Sequence, residues 1–242
     1  MTHSRRATAA LQRLAETDPA FAVLALWCDH RDVEGDAAAW TDGQTIRYGS
    51  GFEPLDPAEQ VGLAAHHILH VALRHVPRQK AMELRFGDRF DARLFNMAAD
   101  ALVNETLTLA GHALPRPAVL ASRLAAERLG ARQTPQEAVA EWDVERLYLA
   151  LHEAAQAGDG AGDRQGRGRE GSEAEQAFAA DLDTRRARPA DGPEEAATAA
   201  EWQQRLARAL EAGRVAGRGL GTLAHGLADL PRSDTPWERH LR

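Results

Sequence analysis

Apolar residues recur every three to four positions along most of this chain, and those stretches predict a largely helical protein. MTHSRRATAALQRLAE reads as a first amphipathic helix over about residues 4–16. From residue 21 to 49 the pattern shortens. FAVLALWCDH, AAAW and TIRYG are read as a small sheet of about three strands, with an Asp42-Gly43 turn joining the last two. Leu55-Asp56-Pro57 then marks a helix entry, with Asp56 as N-cap and Pro57 at the first helical position. That helix is expected to run through AAHHILHVALRH and to stop near Pro77.

Further helices are predicted for DARLFNMAADALVNETLTLAG, closed by Gly111, for PRPAVLASRLAAERLG, and for TPQEAVAEWDVERLYLALHEAAQAG, where Thr134, Pro135 and Glu137 form the entry. Trp142, Leu147, Tyr148 and Leu151 share a face of the last and are read as packing. Residues 157–173 are glycine-rich and charged without a large apolar group, and read as a linker or mobile loop. A long helical pattern, EEAATAAEWQQRLARALEAGRVAG, follows it. The expected fold class is α+β, mostly α, with a small mixed sheet. The expected division is a domain over 1–156, the linker over 157–173, and a helical C-terminal segment over 174–242.

Composition narrows the function classes. The formal net charge is -7, with acids and arginines interspersed, which argues against nucleic-acid binding. No apolar run is long enough to cross a bilayer, and the basic start lacks the apolar core of a secretory signal. Cys28 is the only cysteine, so an internal disulfide and multi-cysteine structural zinc are excluded, and a cytoplasmic location is expected.

Four of the ten histidines fall within residues 64–75. On a helix His66 and His70 lie about 40° apart, one turn above the other, where two imidazoles can share one ion. His67 borders that face, and His75 falls about 140° from His70 and is not expected to ligate. In FNMAADALVNETL, Asn96, Asp100, Val103 and Leu107 share a stripe. An aspartate on an apolar stripe is costly unless paired or metal-bound, so Asp100 is the natural third ligand. Glu105 points about 140° away and is read as a solvated or structural carboxylate. Two histidines and one carboxylate leave a fourth position for water, the pattern of catalytic zinc. Asn96 and Asn104 flank Asp100 and are candidates to orient it. Arg74, one turn below His67, is a candidate for holding a substrate carboxylate or oxyanion; an ion pair with Asp88 or Asp91 is the competing reading.

These residues resemble the metallopeptidase-type domain found at the N-terminus of bacterial VWA-like proteins, which tend to be encoded near MoxR-type AAA ATPases. The similar features are Thr41-Asp42-Gly43, then His66-His67-Ile68-Leu69-His70 running on to His75, then Asn96-Met97-Ala98-Ala99-Asp100 with Asn104. They cover roughly residues 5–155, with a weaker echo at DTPWERHLR. The resemblance implies a zincin-like fold with an active-site helix followed by a ligand helix. It implies His66, His70 and Asp100 as ligands of zinc or another divalent transition metal, and the hairpin of Asp42 as the edge beside the cleft. It also implies a peptide or protein substrate, and a MoxR-type ATPase and a VWA-like domain as partners, with 174–242 leading toward such a domain.

The sequence departs from that pattern at one position: His67 stands where the HExxH motif has its glutamate base. Three readings follow. The site is a metal-binding pseudopeptidase, or it hydrolyses weakly with His67 as base, or His67 joins His66, His70 and Asp100 around a different metal. The alternative of another class is a helical interaction module linking the ATPase to its VWA-like partner, with the metal absent or structural.

Overall fold

A computed structural model describes residues 4–115, 117–160, 174–175, 178–186, 193–223 and 226–230. Helix α1 spans Thr8–Thr17 and α2 Pro19–Leu24. The apolar run FAVLAL is thus helical, where the sequence predicted a strand. Asp18 accepts a hydrogen bond from the Ala20 amide and Pro19 occupies the first helical position, so the entry signals outweigh local β-propensity. Phe21 and Leu24 are fully buried by it. The first helix also starts later than expected, because the Asp32 carboxylate holds Ser4 Oγ and the amides of Arg5 and Arg6 outside any helix.

The sheet has three strands among the described residues: β1 (Asp29–Asp32), β2 (Ala39–Thr41) and β3 (Thr45–Tyr48), in the order β1-β3-β2. β1 runs parallel to β3, while β2 pairs antiparallel with it through the predicted turn, where Gly43 takes a φ of 90°. β2 is therefore an edge strand. Its outer side is met by a single parallel bridge between Thr41 and Leu182.

Two long helices form the centre: α3 (Pro57–Ala72) and α5 (Ala92–Leu109). α3 opens with a reciprocal capping box between Asp56 and Glu59, and every residue from Ala64 to Ala72 is buried. It does not continue to Pro77. Arg74 adopts a left-handed conformation (φ 61°), and a new helix, α4 (His75–Phe86), starts behind it with Pro77 in its first turn, where a missing N–H costs nothing. This break re-aims His75. Gly62 of α3 has its own reason: a Cβ there would lie 1.6 Å from the Ala113 carbonyl oxygen, so only glycine lets the loop after α5 pass over the helix.

Helices α6 (Ala121–Leu129), α7 (Pro135–Glu141) and α8 (Val144–Gly160) pack outside α5. Leu147, Tyr148 and Leu151 join Phe95, Leu102 and Leu124 in one apolar cluster, with Trp142 at its edge. The second cluster unites Leu14, Phe21, Ile46, Tyr48 and Ile68 with Trp202, Leu206 and Leu210 of α9 (Pro193–Ala216). The C-terminal helix is therefore packed into the same core as the N-terminal helices and the sheet. Residues 157–160 end α8; the rest of the predicted linker, 161–173, and DTPWERHLR lie outside the described residues. Among the described residues, no helix is long and apolar enough to cross a membrane.

Candidate metal centre

Helix α3 places His66 and His70 one turn apart on its buried face, and α5 brings Asp100 against them. His70 Nε2 lies 2.9 Å from His66 Nε2 and 3.3 Å from Asp100 Oδ1, while His66 Nε2 is 3.9 Å from Asp100 Oδ1. A fourth side chain, Asp181, arrives from the far end of the chain with Oδ2 3.2 Å from His66 Nε2. One donor atom from each of these four residues falls within 4.8 Å of the others.

The hydrogen bonds behind the imidazoles assign their tautomers. Asn104 donates its Nδ2 hydrogen to the Val119 carbonyl at 3.0 Å, which turns its Oδ1 toward His66. His66 Nδ1 must then be the donor in the 2.9 Å contact with that oxygen, leaving a lone pair on Nε2. On the other ring, His75 Nε2 donates to Asp229 Oδ2 at 2.7 Å, so His75 Nδ1 accepts from His70 Nδ1 at 2.8 Å, and His70 Nε2 also carries a lone pair. Asp229 is itself held by Arg78 and by the Val144 amide.

Two lone pairs 2.9 Å apart repel, and two carboxylates face the same point. Asp100 Oδ1 and Asp181 Oδ1 are buried without a hydrogen-bond partner. Burial, and then the facing Asp181 charge, push the Asp100 carboxyl well above the ordinary aspartate range, so Asp181 is the group that carries the charge. A cation at the point of convergence would satisfy all four groups at once. The donor set, two imidazole nitrogens and two carboxylate oxygens, fits the four-coordinate preference of zinc.

His67 is fully buried beside this cluster, with both ring nitrogens unpartnered and Nε2 3.7 Å from Asp181 Oδ2. Burial is the main force lowering its pKa to about 4, His66 adds to it, and Asp181 opposes it; the ring is neutral at pH 7. A cavity of about 150 Å³ reaches His66, Asp100 and Asp181, with walls that include Leu63, Leu114, Val119 and Phe178.

Several expected site residues are engaged elsewhere. Arg74 pairs with Glu195 of α9 in place of Asp88 or Asp91, because the left-handed turn redirects it. Asp42 closes its own turn by accepting from the amides of Gln44 and Thr45 and pairs with Arg47 at 2.6 Å. Both line a different cavity, of about 360 Å³, that the four clustered residues do not border. Asn96 does not orient Asp100: it donates to Gln79 and accepts from the Leu182 amide at 3.2 Å, which anchors the residue next to Asp181. Asn104 serves His66 and not Asp100. Glu105 is buried, not solvated, and accepts from the Ser122 amide and hydroxyl at the start of α6.

Asp181, His75 and Asp229 were not anticipated in these positions. The aspartates of AADLD and GLADLP carry no local periodic signal, and His75 could be placed only once α3 was known to stop at Ala72.

Residues 2–242 match the family described as "Putative metallopeptidase domain", and the chain belongs to that family. Comparison with curated proteins and with solved structures returned no match. The match includes α9, in keeping with its place in the common core.

Proposed function

We propose that this chain is a zinc-binding protein of metallopeptidase type, held in a weakly active or inactive state by His67 in place of the glutamate base. His66, His70 and Asp100 hold the ion, and Asp181 completes the set. The observation that carries this is the convergence of two imidazole lone pairs and two carboxyl groups on one buried point, where Asp100 Oδ1 and Asp181 Oδ1 find no hydrogen-bond partner. A bound dication supplies Lewis acidity toward a carbonyl oxygen and lowers the pKa of a water.

The chain's own groups prepare that point. Asn104 fixes the His66 ring, and the line from Asp229 through His75 fixes the His70 ring, each keeping Nε2 free to ligate. His67 has no anionic oxygen to take a proton, and its buried ring resists protonation, so it stores a proton less well than glutamate would.

Elemental analysis of the purified chain tests the reading. One divalent ion per chain is expected in the parent and none in a His66→Ala/His70→Ala variant. Equal metal content in the two rejects it. A second reading, a helical platform for a MoxR-type ATPase and a VWA-like partner with a structural ion, draws on the fourth protein donor, since closed four-ligand sites are typical of structural zinc. A chain that loses most of its stability on chelation and offers no exchangeable coordination position would favour that second reading.

A further inference from the structure

Three of the four converging donors sit on α3 and α5, helices buried along most of their length. The fourth does not. Asp181 belongs to an extended stretch that meets the sheet through one residue: Thr41 donates its amide to the Asp181 carbonyl at 2.9 Å and accepts the Asp183 amide at 2.8 Å. Leu182 also donates its amide to Asn96 Oδ1 and buries its side chain in the apolar cluster of α5 and α8, so Leu182 must leave that cluster when the segment is displaced. The Asp181 side chain is 17% exposed, against 5%, 0% and 10% for His66, His70 and Asp100.

We propose that residues 181–183 are an intramolecular ligand of the centre, occupying the edge of β2 and the fourth coordination position until an extended peptide displaces them. The proposal rests on the metal-centre reading above. Both bonds to Thr41 involve backbone atoms only, so any extended peptide can remake them, whatever its sequence. The Asp181 carboxylate stands where two histidines and one carboxylate would otherwise leave an open position. Room for an incoming chain adjoins it. The cavity at Asp181 shares Leu114, Pro117, Val119 and Ala174 with a larger cleft of about 840 Å³. Asn96 is then a positioning residue, setting the height of the segment on β2 through the Leu182 amide.

The test uses the full chain loaded with Co²⁺, whose absorption spectrum reports coordination. The parent, Asp181→Ala and the conservative Asp181→Asn are compared for cobalt uptake, spectrum and binding of a peptide hydroxamate. Expected for both variants are retained uptake with affinity lowered by about 10–100-fold, an altered spectrum, and hydroxamate binding at least about tenfold tighter than in the parent. In the parent, hydrogen exchange at the Leu182 and Asp183 amides is expected to be at least about tenfold faster than at the β3 amides. Loss of cobalt as complete as in His66→Ala makes Asp181 an integral ligand and overturns the proposal. So do unchanged hydroxamate binding, or exchange at 182 and 183 as slow as in β3. A parent that takes up no cobalt overturns the metal reading and this proposal together, which separates the two failures.

Discussion

Replacing Asp100 by asparagine should stabilise the metal-free protein while abolishing its response to metal. The carboxylates of Asp100 and Asp181 present oxygens within 4.8 Å of each other, and neither Oδ1 has a hydrogen-bond partner. At that separation and an effective dielectric of about 20, two unit charges repel by about 3.5 kcal/mol. The metal-free parent escapes part of this by keeping a proton on Asp100, so the recoverable amount is about 1–3 kcal/mol. The asparagine amide is isosteric and adds a donor beside the His70 Nε2 lone pair, 3.3 Å from the present Oδ1. The metal-loaded parent behaves oppositely: at a free metal concentration of about 100 times Kd it gains about 2.7 kcal/mol, which Asp100→Asn forgoes. Urea denaturation of both proteins, with excess Zn²⁺ and with chelator, gives the four stabilities required. The reasoning fails if Asp100→Asn is less stable than the parent under chelator, or if zinc stabilises both equally.

Three further outcomes are expected. Asn104→Ala frees the His66 ring and leaves the Val119 carbonyl unpaired. Its zinc affinity, read by competition with a chromophoric chelator, should fall about 10–100-fold, and an unchanged affinity would remove Asn104 from the site. His67→Glu restores the carboxylate of the motif. The zinc-loaded variant should cleave fluorogenic peptides at least about 100-fold faster than the parent, the lower range for a positioned general base; equal rates would show that the missing glutamate is not what limits the chain. Asp229 is buried, which alone would raise its pKa, but Arg78 and then His75 outweigh burial and hold it at about 2. A depressed carboxylate pKa contributes stability that is present above the ordinary value near 4 and lost as pH falls toward 2, here about 2 kcal/mol. Urea midpoints of the parent and Asp229→Asn should therefore differ at pH 5, with the difference narrowing to about a third by pH 2.5; a gap undiminished at pH 2.5 would contradict the assignment.

By itself the sequence determined whatever depends on neighbours within a turn or two. The pair His66 and His70 is set by helical geometry, Asp100 by the cost of an aspartate on an apolar stripe, and the entries at Asp56 and Thr134 by capping chemistry that the structure reproduces as two capping boxes. The hairpin at Asp42-Gly43 belongs to the same class. Tertiary structure decided the rest, because those partners are far apart in sequence and carry no periodic signal. Phe21 and Leu24 are helical because Asp18 and Pro19 start a helix whose apolar face α9 covers, although the same run suits a strand. The stop at Ala72 turns His75 from a bystander into the support of His70, and only the folded chain brings Asp229 to it across 154 residues. Asp181 is the clearest case. It reaches His66 across 115 residues through a backbone bridge to β2, and backbone hydrogen bonds leave no mark on which side chains the sequence must use.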